Sequence, residues 1–379
     1  MKFFTKLLIF SMFWGCSMTT TDKTLSKEKP DSMQINALNP FYEESSLYMY
    51  YPPFDDIKVE HYEPAFIKGM AEQESEINAI AENKEPPTFE NTILEMEKSG
   101  AILDRVATVF FALTSAHTNE GIEKIRAAMA PKLSAHSDKI LLNELLFKRI
   151  SKLYEERNDL GIDQESVRLV EKYYVDFIRS GAKLSKSEKQ RLKELNGEIA
   201  ILQTNFSQNV LREVNDLAIV VNDKEELEGL SPSAIQAAAN EANSRGFDGK
   251  FVIALKNTSG QPAMSSLKNR ALREKIHKTS LSRGSRGGEF DNREILSKVL
   301  KLRAEKALML GYPNHAAYSL ESQTAKTPKA VNLRLGSLAP KSLENAKKEA
   351  VDLQKMIQSE GGSFKLASWD WDYYTEKVR

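Results

Sequence analysis

Only one cysteine, Cys16, occurs in the 379 residues, so no intramolecular disulfide can form. Zinc sites of four cysteines, or of two cysteines and two histidines, are excluded with it. Histidine is scarce too. His61, His117, His136, His277 and His315 are the five, and none has another histidine three to five positions away. Two imidazoles on one helix face require that spacing, and no His-Glu-x-x-His occurs in the sequence. Each histidine therefore reads as a surface or interface imidazole with ordinary partners. His61, flanked by Glu60 and Glu63, is the nearest approach to a ligand cluster, but it lacks a second histidine. Net charge is absent as well: 53 Lys and Arg balance 53 Asp and Glu, with no basic block, so a nucleic-acid partner has no electrostatic support. Strand signals are sparse, and no repeat recurs at a fixed period.

What is present begins with an address. Lys2 and Lys6 precede the apolar run Leu7 to Trp14, which is too short to span a bilayer as a helix. Gly15 and Cys16 follow, then a polar stretch rich in Ser, Thr and Lys. This is signal-peptide architecture. A small residue before a lone cysteine at this place resembles the bacterial lipobox, in which the cysteine is acylated and becomes the new N-terminus. Phe13 and Trp14 depart from the usual Leu and small residue of that motif. The sequence thus predicts a signal peptide over 1–15, a flexible tether over 16–38 behind a lipidated Cys16, and a folded body over 39–379. The alternative is an ordinary cleaved signal with an incidental cysteine. The lipidated reading implies an exported protein held to a bacterial envelope membrane and facing the periplasm.

The whole chain has 41% hydrophobic and 28% charged residues, enough to bury a sizeable core in the body. Its start and stop signals are mostly helical. Thr88 can cap a helix through Ile93, Met96, Ile102 and Val106 to Phe110, with Gly100 a cost that need not break it. Asp163 can cap the segment holding Val167, Val170, Tyr174 and Phe177, which Gly181 closes. Ser185 to Glu188 is a capping box, followed by the stripe Leu192, Leu195, Ile199, Leu202, Phe206 and Val210 on a helix of about eight turns. That stripe reads as lobe core, with a dimer seam as the alternative; the chain is expected to be a monomer. Ser231-Pro232 and Thr327-Pro328 each pair a capping hydroxyl with proline at the first helical position. Ala218 to Val221 and Lys250 to Leu255 predict a small β-ribbon, and Ser282 to Glu289 a mobile loop.

Several stretches, taken in order, resemble the thimet-oligopeptidase-like zinc metallopeptidases and their bacterial peptidyl-dipeptidase branch. They are Asn39-Pro40-Phe41, Pro52-Pro53-Phe54-Asp55, Tyr62-Glu63-Pro64-Ala65-Phe66 and Phe89-Glu90-Asn91-Thr92-Ile93. Phe110 to Asn119, Phe206-Ser207-Gln208-Asn209-Val210, Asn257-Thr258 with Gln261-Pro262-Ala263, Arg270 to Glu274 and Leu310 to Tyr318 follow. Trp369-Asp370-Trp371-Asp372-Tyr373-Tyr374 matches the family's Trp-Asp-x-x-Tyr-Tyr signature. The resemblance implies a mainly α fold: the multi-helix N-terminal lobe of a two-lobed, deep-cleft peptidase that takes short peptides and releases C-terminal dipeptides. It also implies zinc in the full-length protein, for which this sequence offers no ligands and no catalytic residue. Trp369, Asp370, Tyr373 and Tyr374 read either as lobe packing or as residues shaping a substrate cleft. The helical pattern reaches Arg379 without a stop signal, so the sequence reads as a piece that ends before the zinc-binding region and is inactive alone. The alternative is a catalytically empty helical lipoprotein or peptide-binding lobe.

Overall fold

A computed structural model describes residues 39–255 and 260–379. Cys16 lies outside the described residues, as do the signal and tether segments and Asn257 and Thr258. The described residues are mainly α-helical with one two-stranded sheet. They divide into two compact units: residues up to Thr204 with Glu305–Gly311, and Asn205–Ala304 with Tyr312–Arg379.

In the first unit, α1 (Val59–Ala81) is followed by a π-helical turn (Phe89–Leu94) that leads into α2 (Glu95–Lys98). Next come α3 (Ala101–Ala116), α4 (Glu120–Leu141), α5 (Glu144–Glu156), α6 (Gln164–Arg179) and the first part of α7 (Lys186–Asp216). α1 packs on α3 and α4, and α5 packs on α6. Gly69 permits the first contact, because a Cβ there would lie 2.7 Å from the backbone nitrogen of Leu103. Phe41, Tyr62, Phe66 and Phe110 form one apolar cluster, with Tyr62 and Phe66 each edge-on to Phe110 at 5.1 and 5.2 Å. Ile93, Met96, Ile150, Leu153, Val170 and Phe177 form a second.

Thr88 caps as predicted, its side chain accepting from the Asn91 amide. The single helix expected from Thr88 to Phe110 is a correction, because it breaks at Gly100. Ser99 is extended, Gly100 is left-handed at φ 77°, and its amide donates to Glu76 at 2.7 Å. A Cβ on Gly100 would lie 2.4 Å from the Gln73 amide nitrogen, so the break is built into the packing. The stretch Phe89–Ala116 is apolar and long enough to cross a membrane by composition. Its apolar side chains Ile93, Met96, Ile102, Val106 and Phe110 are instead buried in the fold.

Asp163 caps α6 and accepts from Ser166. Gly181, at φ 99°, closes that helix: the Ala182 amide reaches back to the Phe177 carbonyl at 3.0 Å. Ser185 and Glu188 make the reciprocal capping box, with the Ser185 amide donating to Glu188 at 2.9 Å. On α7 the apolar stripe is core only at its start. Leu192 and Leu195 are fully buried, whereas Ile199, Leu202, Phe206 and Val210 are half-buried.

The second unit contains the rest of α7, then β1 (Ile219–Val221), α8 (Pro232–Ser244), β2 (Phe251–Ile253) and α9 (Arg270–Leu281). α10 (Arg293–Met309), whose last turns belong to the first unit, precedes α11 (His315–Leu320), α12 (Pro328–Ser359) and α13 (Trp371–Val378). β1 and β2 pair antiparallel with Val220 opposite Val252, the expected ribbon. Ser231 and Thr327 cap α8 and α12 with proline following, also as expected. Ser282 to Glu289, read from the sequence as a mobile loop, is tied to the end of α7. The buried Glu213 accepts from the Gly284 amide and from Arg286, and Arg286 also reaches Asp216. Asn292 donates to the Phe206 carbonyl, accepts from Asn209 and returns its amide to Gly284.

Candidate functional site

The signature segment folds around one carboxylate. Ser368–Asp370 forms a 3-10 turn closed by the Ala367 amide, which donates to Asp370 Oδ2 at 3.1 Å. Arg270 and Arg273, three apart on α9 and so on one face, both reach Asp370. Arg270 donates through Nε and Nη2, and Arg273 through Nη2, at 2.9 to 3.2 Å. The other donors of Arg273 are spent on the carbonyls of Leu267, Lys268 and Trp369. Asp370 is 0% and Arg273 1% exposed. Burial alone would raise the Asp370 carboxyl; the hydrogen bonds from Arg270, Arg273 and Ala367 outweigh it and hold the group below its ordinary value.

The aromatic residues enclose these cations. The Arg273 guanidinium lies 4.2 Å from the Tyr373 ring centre, and that of Arg270 lies 4.2 Å from Phe364. Lys377 stands over Tyr373, and Lys278 over Trp369. Tyr373 and Tyr374 are buried and meet edge to face, packed with Leu353 and Ile357 of α12. Burial raises the Tyr374 hydroxyl, with Glu360 adding to it. The local geometry at the signature is a saturated carboxylate packed among cations and rings. The Trp369 Nε1 is buried and has no hydrogen-bond partner among the described residues.

Several of the other motif stretches also hold ties. Arg149, buried, donates to the carbonyls of Asn83 and Glu85 and to the side chains of Asn91 and Thr92. Asn91 in turn accepts from the Thr88 amide, which accounts for Phe89-Glu90-Asn91-Thr92-Ile93. Arg105 donates to the carbonyls of Phe41 and Tyr42, and Asn39 donates to that of His61, pinning the lead-in onto α1 and α3. Buried Gln261 donates to Ser280. Sequence reasoning missed Arg149, Arg105 and Glu213 because single charged residues give no periodic signal.

No group of three or more His, Cys, Asp or Glu side chains among the described residues is placed to hold a metal ion. His61 is committed elsewhere: its Nδ1 accepts from the Lys58 amide at 3.1 Å and caps α1. Burial lowers its pKa, with Glu60 opposing. Glu63 is paired with Lys132. His136 is buried against Gln73 at 2.7 Å. The described residues therefore do not fit a zinc ion.

Residues 263–379 match Peptidase family M3. The chain is 39% identical over 345 residues to the dipeptidyl carboxypeptidase of Escherichia coli, covering 91% of this chain and 51% of that protein. The chain is related to the M3 peptidases. It is also 38% identical over 341 residues to the Salmonella typhimurium dipeptidyl carboxypeptidase (90% of this chain, 50% of that protein). Identity to the Haemophilus influenzae oligopeptidase A is 31% over 335 residues, covering 86% of this chain and 48% of that protein. The chain spans about half the length of these curated relatives.

Proposed function

We propose that these residues form the scaffold part of an M3-type zinc peptidase that releases dipeptides from the C-termini of short peptides. Its zinc ligands would lie outside the 379 residues. The observation that carries this reading is the 39% identity to a dipeptidyl carboxypeptidase across 91% of the chain, against 31% to an oligopeptidase A. The ties around Asp370, Arg149 and Asn292 support it, since each employs residues of the stretches that carry the resemblance. A chimera tests it: this chain joined to the half of the E. coli dipeptidyl carboxypeptidase outside the matched stretch. Chelator-sensitive release of C-terminal dipeptides is expected. A folded, zinc-loaded chimera that cleaves only internal bonds would point to an oligopeptidase instead, and one that cleaves none to a peptide-binding lobe.

The same reading places the protein outside the cytoplasm of a bacterium, held by acyl chains on Cys16. Support comes from the basic start, the apolar run and the single cysteine at its end. Membrane partition and fatty-acid labelling, both lost in Cys16→Ser, are the expected results. Recovery of the unaltered protein as a soluble periplasmic species would count against the anchor.

A further inference from the structure

We infer that the aromatic turn from Leu47 to Phe54 is a docking surface for a zwitterionic lipid bilayer, reached when the chain is tethered at Cys16. The inference rests on the anchor proposed above. Tyr48, Met49, Tyr50 and Tyr51 are 88%, 78%, 68% and 61% exposed, and Leu47 and Phe54 at either end are exposed too. Elsewhere among the described residues, no two exposed large hydrophobic side chains are adjacent in sequence. Hydrogen bonds hold this turn in shape. The Tyr50 amide donates to the Leu47 carbonyl at 2.9 Å, and the Ser45 hydroxyl accepts from the Leu47 amide and donates to the Tyr51 carbonyl at 2.6 Å. Tyr51 meets Phe54 edge-on at 5.5 Å. Met49 and Tyr50 both sit in the left-handed region, at φ 54° and 56°, which residues other than glycine seldom adopt.

A strained turn that holds a run of aromatic side chains in water marks a surface with a partner. Its position and its charge choose lipid. The turn lies close to Asn39, which is fixed to α1 through the His61 carbonyl and stands where the tether proposed over 16–38 ends. A random coil of that length reaches about 25 Å, so acyl chains on Cys16 would bring this surface to the bilayer. Tyrosine suits the boundary, with its ring among the headgroups and its hydroxyl toward water. Glu43, Glu44, Asp55 and Asp56 flank the turn and are all exposed, against one cation, Lys58, in the same stretch. Their charge repels anionic headgroups, and it equally repels the same turn of a second copy. A zwitterionic surface is the occupant that remains.

Hydroxyl-radical footprinting of a tethered chain tests this. Cys16 is the sole cysteine, so its thiol can be coupled to a maleimide-headgroup lipid in phosphatidylcholine vesicles, whatever acylation occurs in the cell. Oxidation is read by mass spectrometry against the same chain capped with N-ethylmaleimide in solution. At Tyr48 and Met49 it is expected to fall about fivefold on the vesicles, with the exposed Phe247 changed less than about twofold. Tyr48→Ser combined with Tyr50→Ser is expected to abolish most of the protection at Met49. Protection at Met49 in a chain that takes up no fatty acid in cells would remove the natural anchor and uphold the lipid surface. Unchanged oxidation at Met49 in a chain that does take it up would overturn the inference and leave the anchor standing; failure of both would overturn both. Protection that requires phosphatidylglycerol in the vesicles would assign the turn to an anionic surface. Protection that deepens with protein concentration in solution would assign it to a second copy, and protection in the chimera without vesicles to the other half of an M3 protein. Each of these three results overturns the inference.

Discussion

Asp138 in the first unit and Asp370 in the second are both buried carboxylates, yet their environments push them in opposite directions. Asp138 accepts one hydrogen bond, from Asn196 at 2.7 Å, and its Oδ2 has no hydrogen-bond partner among the described residues. Burial dominates there and pushes its pKa up to about 6, with Asn196 and Lys306 only partly opposing. Asp370 receives two arginines and a backbone amide and is held low. Burial is therefore not what makes a charge; the number of donors aimed at it is. The carboxylate in the family signature is the saturated one. Its acceptor capacity is taken up in holding α9 to the 3-10 turn.

The largest effect is expected from removing the charge of Asp370. Asp370→Asn leaves the Arg273 guanidinium buried without a counter-ion and is expected to cost about 3–5 kcal/mol, read from denaturant unfolding. Asp138→Asn removes a charge that has few partners and is expected to be neutral or mildly stabilising at pH 7, within about 1 kcal/mol of the parent. If the two variants lose equal stability, the contrast between the sites fails.

The pH dependence sharpens it. Asp370 is depressed in the folded state, so its contribution is complete above the ordinary carboxylate range and is lost as pH falls through its lowered folded value. Asp138 is raised, so the native state takes up a proton below about pH 6, where the unfolded chain does not until near 3.8. Stability from this group rises as pH falls across that window. Asp138→Asn is expected to remove that rise. A variant whose stability still climbs between pH 6 and 4 as the parent's does would contradict the assignment.

Arg270→Gln should cost less than Asp370→Asn, about 1–2 kcal/mol, because Arg273 still pairs with Asp370 and Arg270 is partly exposed. The smallest effect is expected on α7. Leu202 is half-buried, so Leu202→Ala should cost about 1 kcal/mol, below the 2–5 kcal/mol usual for a fully buried leucine. Differential scanning calorimetry on both variants would order them.

Much of the fold was legible because caps and periodicity are local. Thr88, Asp163, Ser185, Ser231 and Thr327 all begin helices, and the ribbon at Val220 and Val252 was readable from two short apolar runs. What the sequence did not show comes from long-range packing. Gly100 breaks a helix because Gln73 and Glu76 of α1 stand against it, and Glu213 holds a glycine-rich loop from about seventy residues away. Neither tie leaves a trace in the flanking sequence. The signature at Trp369 to Tyr374 was visible as a string, but its role turns on Arg270 and Arg273, a hundred positions earlier.

If the 379 residues are scaffold, as proposed, they hold no zinc of their own. Equilibrium dialysis of the purified 379-residue chain against zinc, followed by metal analysis and a dipeptide-release assay on short peptides, tests it directly. Far less than one equivalent of retained zinc and no chelator-sensitive release are expected. One equivalent of tightly held zinc with chelator-sensitive dipeptide release would contradict it.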